Sequence, residues 1–176
     1  MIEMESGNIA TKISFAWMLR KPYRILALGF GAGLIKPGPG TWGSFVGLLI
    51  WWFFDLLSLS LLWRFVIICV MFIAGLRICG QTSKDIGEHD SGSIVWDEIV
   101  AVLFLILCIA PQEYAFYFIA VIIFRIFDIW KPFPIAYFDR KLRSSFGIMF
   151  DDLLAAVYSF LTFKILILIL ILWIYK

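Results

Sequence analysis

Charge is scarce in this chain. Asp, Glu, Lys and Arg make up 16% of its 176 residues, where a soluble domain carries about a quarter. Histidine occurs once, at His89, and the net charge is only +2. No basic run is present, so a nucleic-acid partner is not expected. Cysteine occurs three times, as Cys69, Cys79 and Cys108, all in or beside apolar runs. An odd count without short spacing excludes a disulfide framework and a cysteine zinc site, leaving small buried hydrophobes. A cleavable leader is not expected either. Ile13 to Leu19 is short and closed by Arg20 and Lys21, which suits a segment lying along a membrane surface. Internal repeats and low-complexity tracts are lacking, which leaves one domain over residues 1–176.

What remains is apolar. Hydrophobic residues reach 62% and aromatic ones 18%, with a mean hydropathy of +0.96. Too little polar surface is available to cover such a core in water, whereas lipid can cover it. The chain therefore reads as an all-α integral membrane protein with four to five transmembrane helices. A span needs about 20 mostly apolar residues. Thr41 to Leu62, Phe65 to Cys79, Ile94 to Ala110, Tyr114 to Trp130 and Asp151 to Tyr175 are the candidates. The last carries Lys164 near its middle, so either that lysine snorkels or meets a partner, or the helix breaks there. Residues 1–28 form a cytoplasmic or interfacial segment, and 29–44 a Gly/Pro-rich loop ahead of the first span.

Lys and Arg set the orientation. With the N-terminus in the cytoplasm, Lys12, Arg20, Lys21, Arg24, Lys36, Arg77, Lys84, Lys131, Arg140, Lys141 and Arg143 all lie inside, and only Arg64 and Lys176 outside. Trp42, Trp96 and Trp130 then mark the inner boundary, and Trp63, Tyr114 and Trp173 the outer one. This topology gathers acids. Asp97 and Glu98 start the third span, Asp128 ends the fourth, and Asp151 and Asp152 start the fifth, so all reach the cytoplasmic leaflet. Asp85, Glu88, Asp90 and Asp139 lie in loops on the same side. Helix dipoles account for acids at helix starts, and Arg125 one turn before Asp128 is a natural partner for it. Neither explains why carboxylates converge where desolvation is expensive. Intramembrane ionisable groups mark functional sites by default.

Carboxylates without matching cations call for a bound cation. Oxygen ligands suit a hard ion, Mg²⁺ with Mn²⁺ as a substitute, while a single histidine disfavours zinc. His89 in Glu88–His89–Asp90 reads either as a solvated loop residue or as an acid or ligand. The Gly29–Ser44 run cannot be a regular helix throughout. It reads equally as a close-packed re-entrant turn or as an anion cradle, to which Lys36 and Thr41 would add a charge and a hydroxyl. It fits neither the Rossmann nor the Walker pattern. Pro132 and Pro134 stop the fourth span, and Arg125 and Lys131 before them are placed to attract a phosphate or headgroup.

A hard-metal site, cations and an anion cradle at one leaflet suggest phosphate-ester chemistry on a lipid. Covalent routes fit poorly. No cysteine carries the loop and arginine of a cysteine phosphatase, no Asp-x-Asp nucleophile occurs, and a two-histidine mechanism lacks its second histidine. The rivals are a phosphatase for another membrane phosphomonoester, and a cation-binding membrane protein without enzymatic activity. A transporter would spread its acids through the bilayer, whereas these collect at one surface.

At these residues the chain resembles the phosphatidylglycerophosphatase A family. The resemblance runs from about Gly29 to Asp152. It comprises the Gly29–Ser44 loop, Gln81–Asp85, His89–Glu98, Phe124–Pro134 and Gly147–Asp152. It implies Mg²⁺-dependent removal of the terminal phosphate from phosphatidylglycerophosphate at the cytoplasmic face of the bacterial inner membrane. The chemistry of the side chains then suggests roles. Asp97, Glu98, Asp128, Asp151 and Asp152 would hold metal. Arg125, Lys131, Lys36 and Thr41 would hold phosphate, and Asp85, His89 or Asp90 would protonate the leaving alkoxide. The expected partner is a membrane lipid, with no protein partner evident.

Overall fold

The computed structural model describes residues 13–88, 91–110, 113–142 and 144–175. All the regular secondary structure among these residues is helical, with no strand. Two short helices, α1 (Phe15–Leu19) and α2 (Pro22–Ala27), precede a 3₁₀ turn over Gly29–Leu34. The main elements are α3 (Pro39–Leu56), α4 (Leu61–Ile86), α5 (Trp96–Ile109), α6 (Tyr114–Trp130), the short α7 (Ile135–Lys141) and α8 (Ser145–Ile174).

The bundle is built around α5. Ten of its residues are buried, including Val100, Leu103, Leu105 and Ile106, and it packs on α3, α4, α6 and α8. A helix that is apolar on every side must be covered on every side. At 14 residues it is about 21 Å long, short for a bilayer core of about 30 Å. The span expected over Ile94 to Ala110 is thus the enclosed centre of the molecule. By contrast α4 and α8, of 26 and 30 residues, are long and apolar enough to cross a membrane. Both are richly apolar on their outer faces, as at Val70, Ile73, Leu168 and Leu172. The protein is membrane-associated on this pattern.

Element boundaries differ from the sequence expectation for local reasons. α4 runs past Cys79 to Ile86, because nothing in Gly80–Asp85 breaks the helix until Gly87 closes it in a left-handed conformation. α8 begins at Ser145, before Asp151, because the Ser144 hydroxyl accepts from the Gly147 amide and caps it there. α8 then continues unbroken past Lys164, whose ammonium lies over the Phe160 ring at 5.6 Å.

The long helices alternate in direction along the chain. Asp55 at the end of α3, Arg64 at the start of α4 and Tyr114 at the start of α6 meet at one end, with Arg64 to Asp55 at 2.6 Å and the Tyr114 hydroxyl donating to Asp55. The starts of α3, α5 and α8 and the finish of α6 meet at the other. In the Gly/Pro-rich segment, Gly33 packs so closely on the Ser93 carbonyl that no side chain fits there. The Val95 amide donates to the Ala27 carbonyl at 2.9 Å, which ties the end of α2, just ahead of that segment, to the start of α5.

Candidate active site

Helix direction alone brings the acids together. Asp97 and Glu98 occupy the first turn of α5, where the dipole favours negative charge. Asp152 projects from α8, eight residues in, and Asp128 from the last turn of α6. One carboxylate oxygen each from Asp97, Glu98 and Asp152 lies within 4.8 Å of the other two. Asp97 and Asp152 are 6% and 5% exposed. Asp97 Oδ1 accepts from the Glu98 amide at 3.1 Å, whereas Glu98 Oε2 is buried with no hydrogen-bond donor among the described residues. Asp152 also faces Asp128.

Two cations border this group, and each is already engaged. Arg125 pairs with Asp128 on the same helix and lies 3.8 Å from Glu98 Oε1. Its Nε is buried and without an acceptor among the described residues. Lys131 sits at the end of α6 in the left-handed region, with φ of 43°. From there its ammonium reaches Asp151 Oδ2 at 2.6 Å and Asp139 Oδ1 at 2.8 Å. Burial works against its charge, but Asp151 and Asp139 outweigh it and hold the ammonium above its ordinary pKa.

The five acids named from sequence as metal ligands therefore divide. Asp97, Glu98 and Asp152 converge as an oxygen-only set. Asp128 adjoins it through Arg125, and Asp151 is tied to Lys131. Lys36 and Thr41 are exposed at the mouth of the Gly/Pro-rich loop, and Thr41 shares a groove with Arg125. Asp85 is held elsewhere. Arg24 grips its Oδ2 through Nε and Nη2 at 2.9 and 2.8 Å, joined by Tyr23 and Lys21, so that α2 is fastened to α4. His89 and Asp90 lie outside the described residues.

One residue of the site was not singled out from sequence. Gly40, in the first turn of α3, lies directly against the Glu98 carboxylate and the Arg125 guanidinium. A β-carbon there would fall 2.8 and 2.9 Å from the guanidinium nitrogens. The Gly/Pro-rich segment thus uses Gly33 for packing and Gly40 to approach the acids. The Pro39–Gly40 pair signals a helix start, but only the fold shows what that start touches.

Three converging carboxylates beside an arginine, carried by α5, α6 and α8, can now be set against known proteins. The family profile of Phosphatidylglycerophosphatase A matches residues 25–167. This chain belongs to that family. It is 45% identical over 157 residues to a Haemophilus influenzae protein named phosphatidylglycerophosphatase A, covering 89% of this chain and 93% of that one. An Escherichia coli protein of the same name is 38% identical over 143 residues, covering 80% and 81%. A Bacteroides thetaiotaomicron protein with the provisional name phosphatidylinositol-3-phosphatase is 33% identical over 142 residues, covering 78% and 88%. No solved structure matches the chain significantly. The matched region takes in every acid of the cluster and both bordering cations.

Proposed function

We propose that this protein hydrolyses the terminal phosphomonoester of phosphatidylglycerophosphate, giving phosphatidylglycerol and phosphate, with Mg²⁺ as cofactor. The observation that carries the reading is the Asp97–Glu98–Asp152 set beside Arg125, in a chain 45% identical to a protein named for that activity. The donors fit the ion. All three are carboxylates, their oxygens lie within 4.8 Å, and Glu98 Oε2 is buried without a partner among the described residues. Hard cations such as Mg²⁺ or Mn²⁺ take such ligands. When bound, the ion would supply positive charge to a phosphoryl oxygen and acidify water beside it.

The chain's own groups do the rest. Asp128 fixes the Arg125 guanidinium, leaving Nε to donate to a phosphate oxygen. Lys131 neutralises Asp151, so that the neighbouring Asp152 faces the site without an adjoining free charge on the same turn. Gly40 keeps the space between Glu98 and Arg125 open. Burial of these groups strengthens each electrostatic contact with the substrate.

The membrane arrangement belongs to the same proposal. α3 and α6, of 18 and 17 residues, are about 26 Å long and cross the bilayer with α4 and α8 around the enclosed α5. The excess of Lys and Arg near the acidic end supports placing it at the cytoplasmic face of the inner membrane. The test is phosphate release from phosphatidylglycerophosphate by purified protein in detergent, with Mg²⁺ and then with chelator. Release that stops on chelation and returns with Mg²⁺ is expected. The Bacteroides relative favours a second reading, in which the same site takes a phosphoinositide monophosphate. Higher kcat/KM on phosphatidylinositol 3-phosphate than on phosphatidylglycerophosphate would replace the first reading with the second.

A further inference from the structure

Beside the acidic cluster, α3 and α6 enclose a groove of about 500 Å³. Thr41 and Phe45 line it from α3, and Phe118, Ile122, Arg125 and Trp130 from α6. Steps of three and four residues put Phe118, Ile122 and Arg125 on one face of α6. The wall is apolar along its length, with Arg125 set between Ile122 and Trp130, and that arginine also pairs with Asp128 and lies 3.8 Å from Glu98. Ser44, another lining residue, donates its hydroxyl proton to the Gly40 carbonyl at 3.0 Å and so has no donor left for an occupant.

We infer that this groove binds an acyl chain of the lipid substrate and delivers its phosphate to the acidic cluster from the side, between α3 and α6. The inference rests on the lipid phosphomonoester reading above. An apolar groove that shares Arg125 with the acidic cluster suits an amphiphile whose anionic head reaches the cluster. A neutral lipid or an apolar protein helix would leave the buried Arg125 Nε without an acceptor, which is costly. An anionic phosphoester satisfies it while the chain lies along Ile122 and Phe118. Arg125 belongs to both groove and cluster, so the occupant that fills the first presents its head to the second.

Two measurements test this. The first compares kcat/KM for dioleoyl phosphatidylglycerophosphate with that for its deacylated headgroup, in wild type, Ile122→Trp and Val70→Trp. Ile122 is half-exposed and accepts a larger side chain into the groove, whereas Val70 lies on the outer face of α4. The ratio of long-chain to deacylated kcat/KM should fall about tenfold in Ile122→Trp and stay at the wild-type value in Val70→Trp. An unchanged ratio in Ile122→Trp overturns the inference. The second measurement is photolabelling with phosphatidylglycerophosphate carrying a diazirine midway along one chain. Label should fall on Phe118–Ile126 and Phe45, and unlabelled phosphatidylglycerophosphate should displace it where phosphatidylcholine does not. Label spread equally over the Val70 face, or displaced by either lipid, means that bulk lipid covers the groove and overturns the inference. If wild type hydrolyses neither substrate, the proposed reaction fails, and the photolabelling still decides the groove.

Discussion

At the scale of single residues, the site is a contest between carboxylates and the few cations able to neutralise them. Asp151 is answered by Lys131 and Asp128 by Arg125, while Asp97, Glu98 and Asp152 share one small volume. Asp152→Asn should therefore lower kcat/KM at least about 100-fold, since even partners of metal ligands cost about 10- to 100-fold. Calorimetric titration of the same variant with Mn²⁺ should show weakened binding, and an unchanged isotherm would contradict the assignment. Lys131→Met leaves the buried Asp151 without its counter-charge and should cost about 2 kcal/mol. Adding Asp151→Asn should restore most of that loss, as a double-mutant cycle in denaturant will show. Gly40→Ala puts a methyl group against Glu98 and Arg125 and should cost about 1 kcal/mol in stability. Its larger effect should be on turnover, because the displaced groups are the ones that face phosphate. The acids themselves were legible in the sequence. Their pairing was not, because Lys131 reaches Asp151 and Asp139 only through the left-handed turn at the end of α6.

At the scale of elements, alternating helix direction sorts polar groups to two ends. The end away from the acids is tied by Asp55, Arg64 and Tyr114, with the Arg64 guanidinium 4.6 Å above the Trp51 ring. Arg64 also donates to the Leu59 carbonyl at 2.8 Å, closing the turn between α3 and α4. Asp55→Asn should lower thermal stability, by about 1 to 3 kcal/mol for a largely buried arginine deprived of its carboxylate. Turnover per folded molecule should stay at the wild-type level, since this tie is made at the far end of the bundle. Loss of turnover without loss of stability would show that the two ends are coupled. α5 gives the opposite lesson about reading elements from sequence. Its apolar run was visible, but an apolar run is the same whether lipid or protein covers it. Enclosure by α3, α4, α6 and α8 makes it the core.

At the scale of the whole molecule, the question is which end faces the cytoplasm. In a cysteine-free background, Ser58→Cys in the α3–α4 turn should react with an impermeant maleimide from outside intact cells. Ser144→Cys at the start of α8 should react only after the membrane is opened. The reverse pattern would invert the orientation read from Lys and Arg. Composition determined that this chain meets lipid, because 62% hydrophobic residues leave too little polar surface to cover them in water. The length of the apolar runs determined that it is helical. Sequence order determined that the acids collect at one end, since the apolar runs alternate in direction and the acids fall at matching ends. Tertiary structure decided the rest. Only packing across long separations shows that Asp85 serves Arg24, 61 residues away, and that Gly40 opens onto Glu98 and Arg125. The reason is physical: a hydrophobic pattern fixes which face of a helix is buried, but an ion pair depends on side-chain positions to within an ångström.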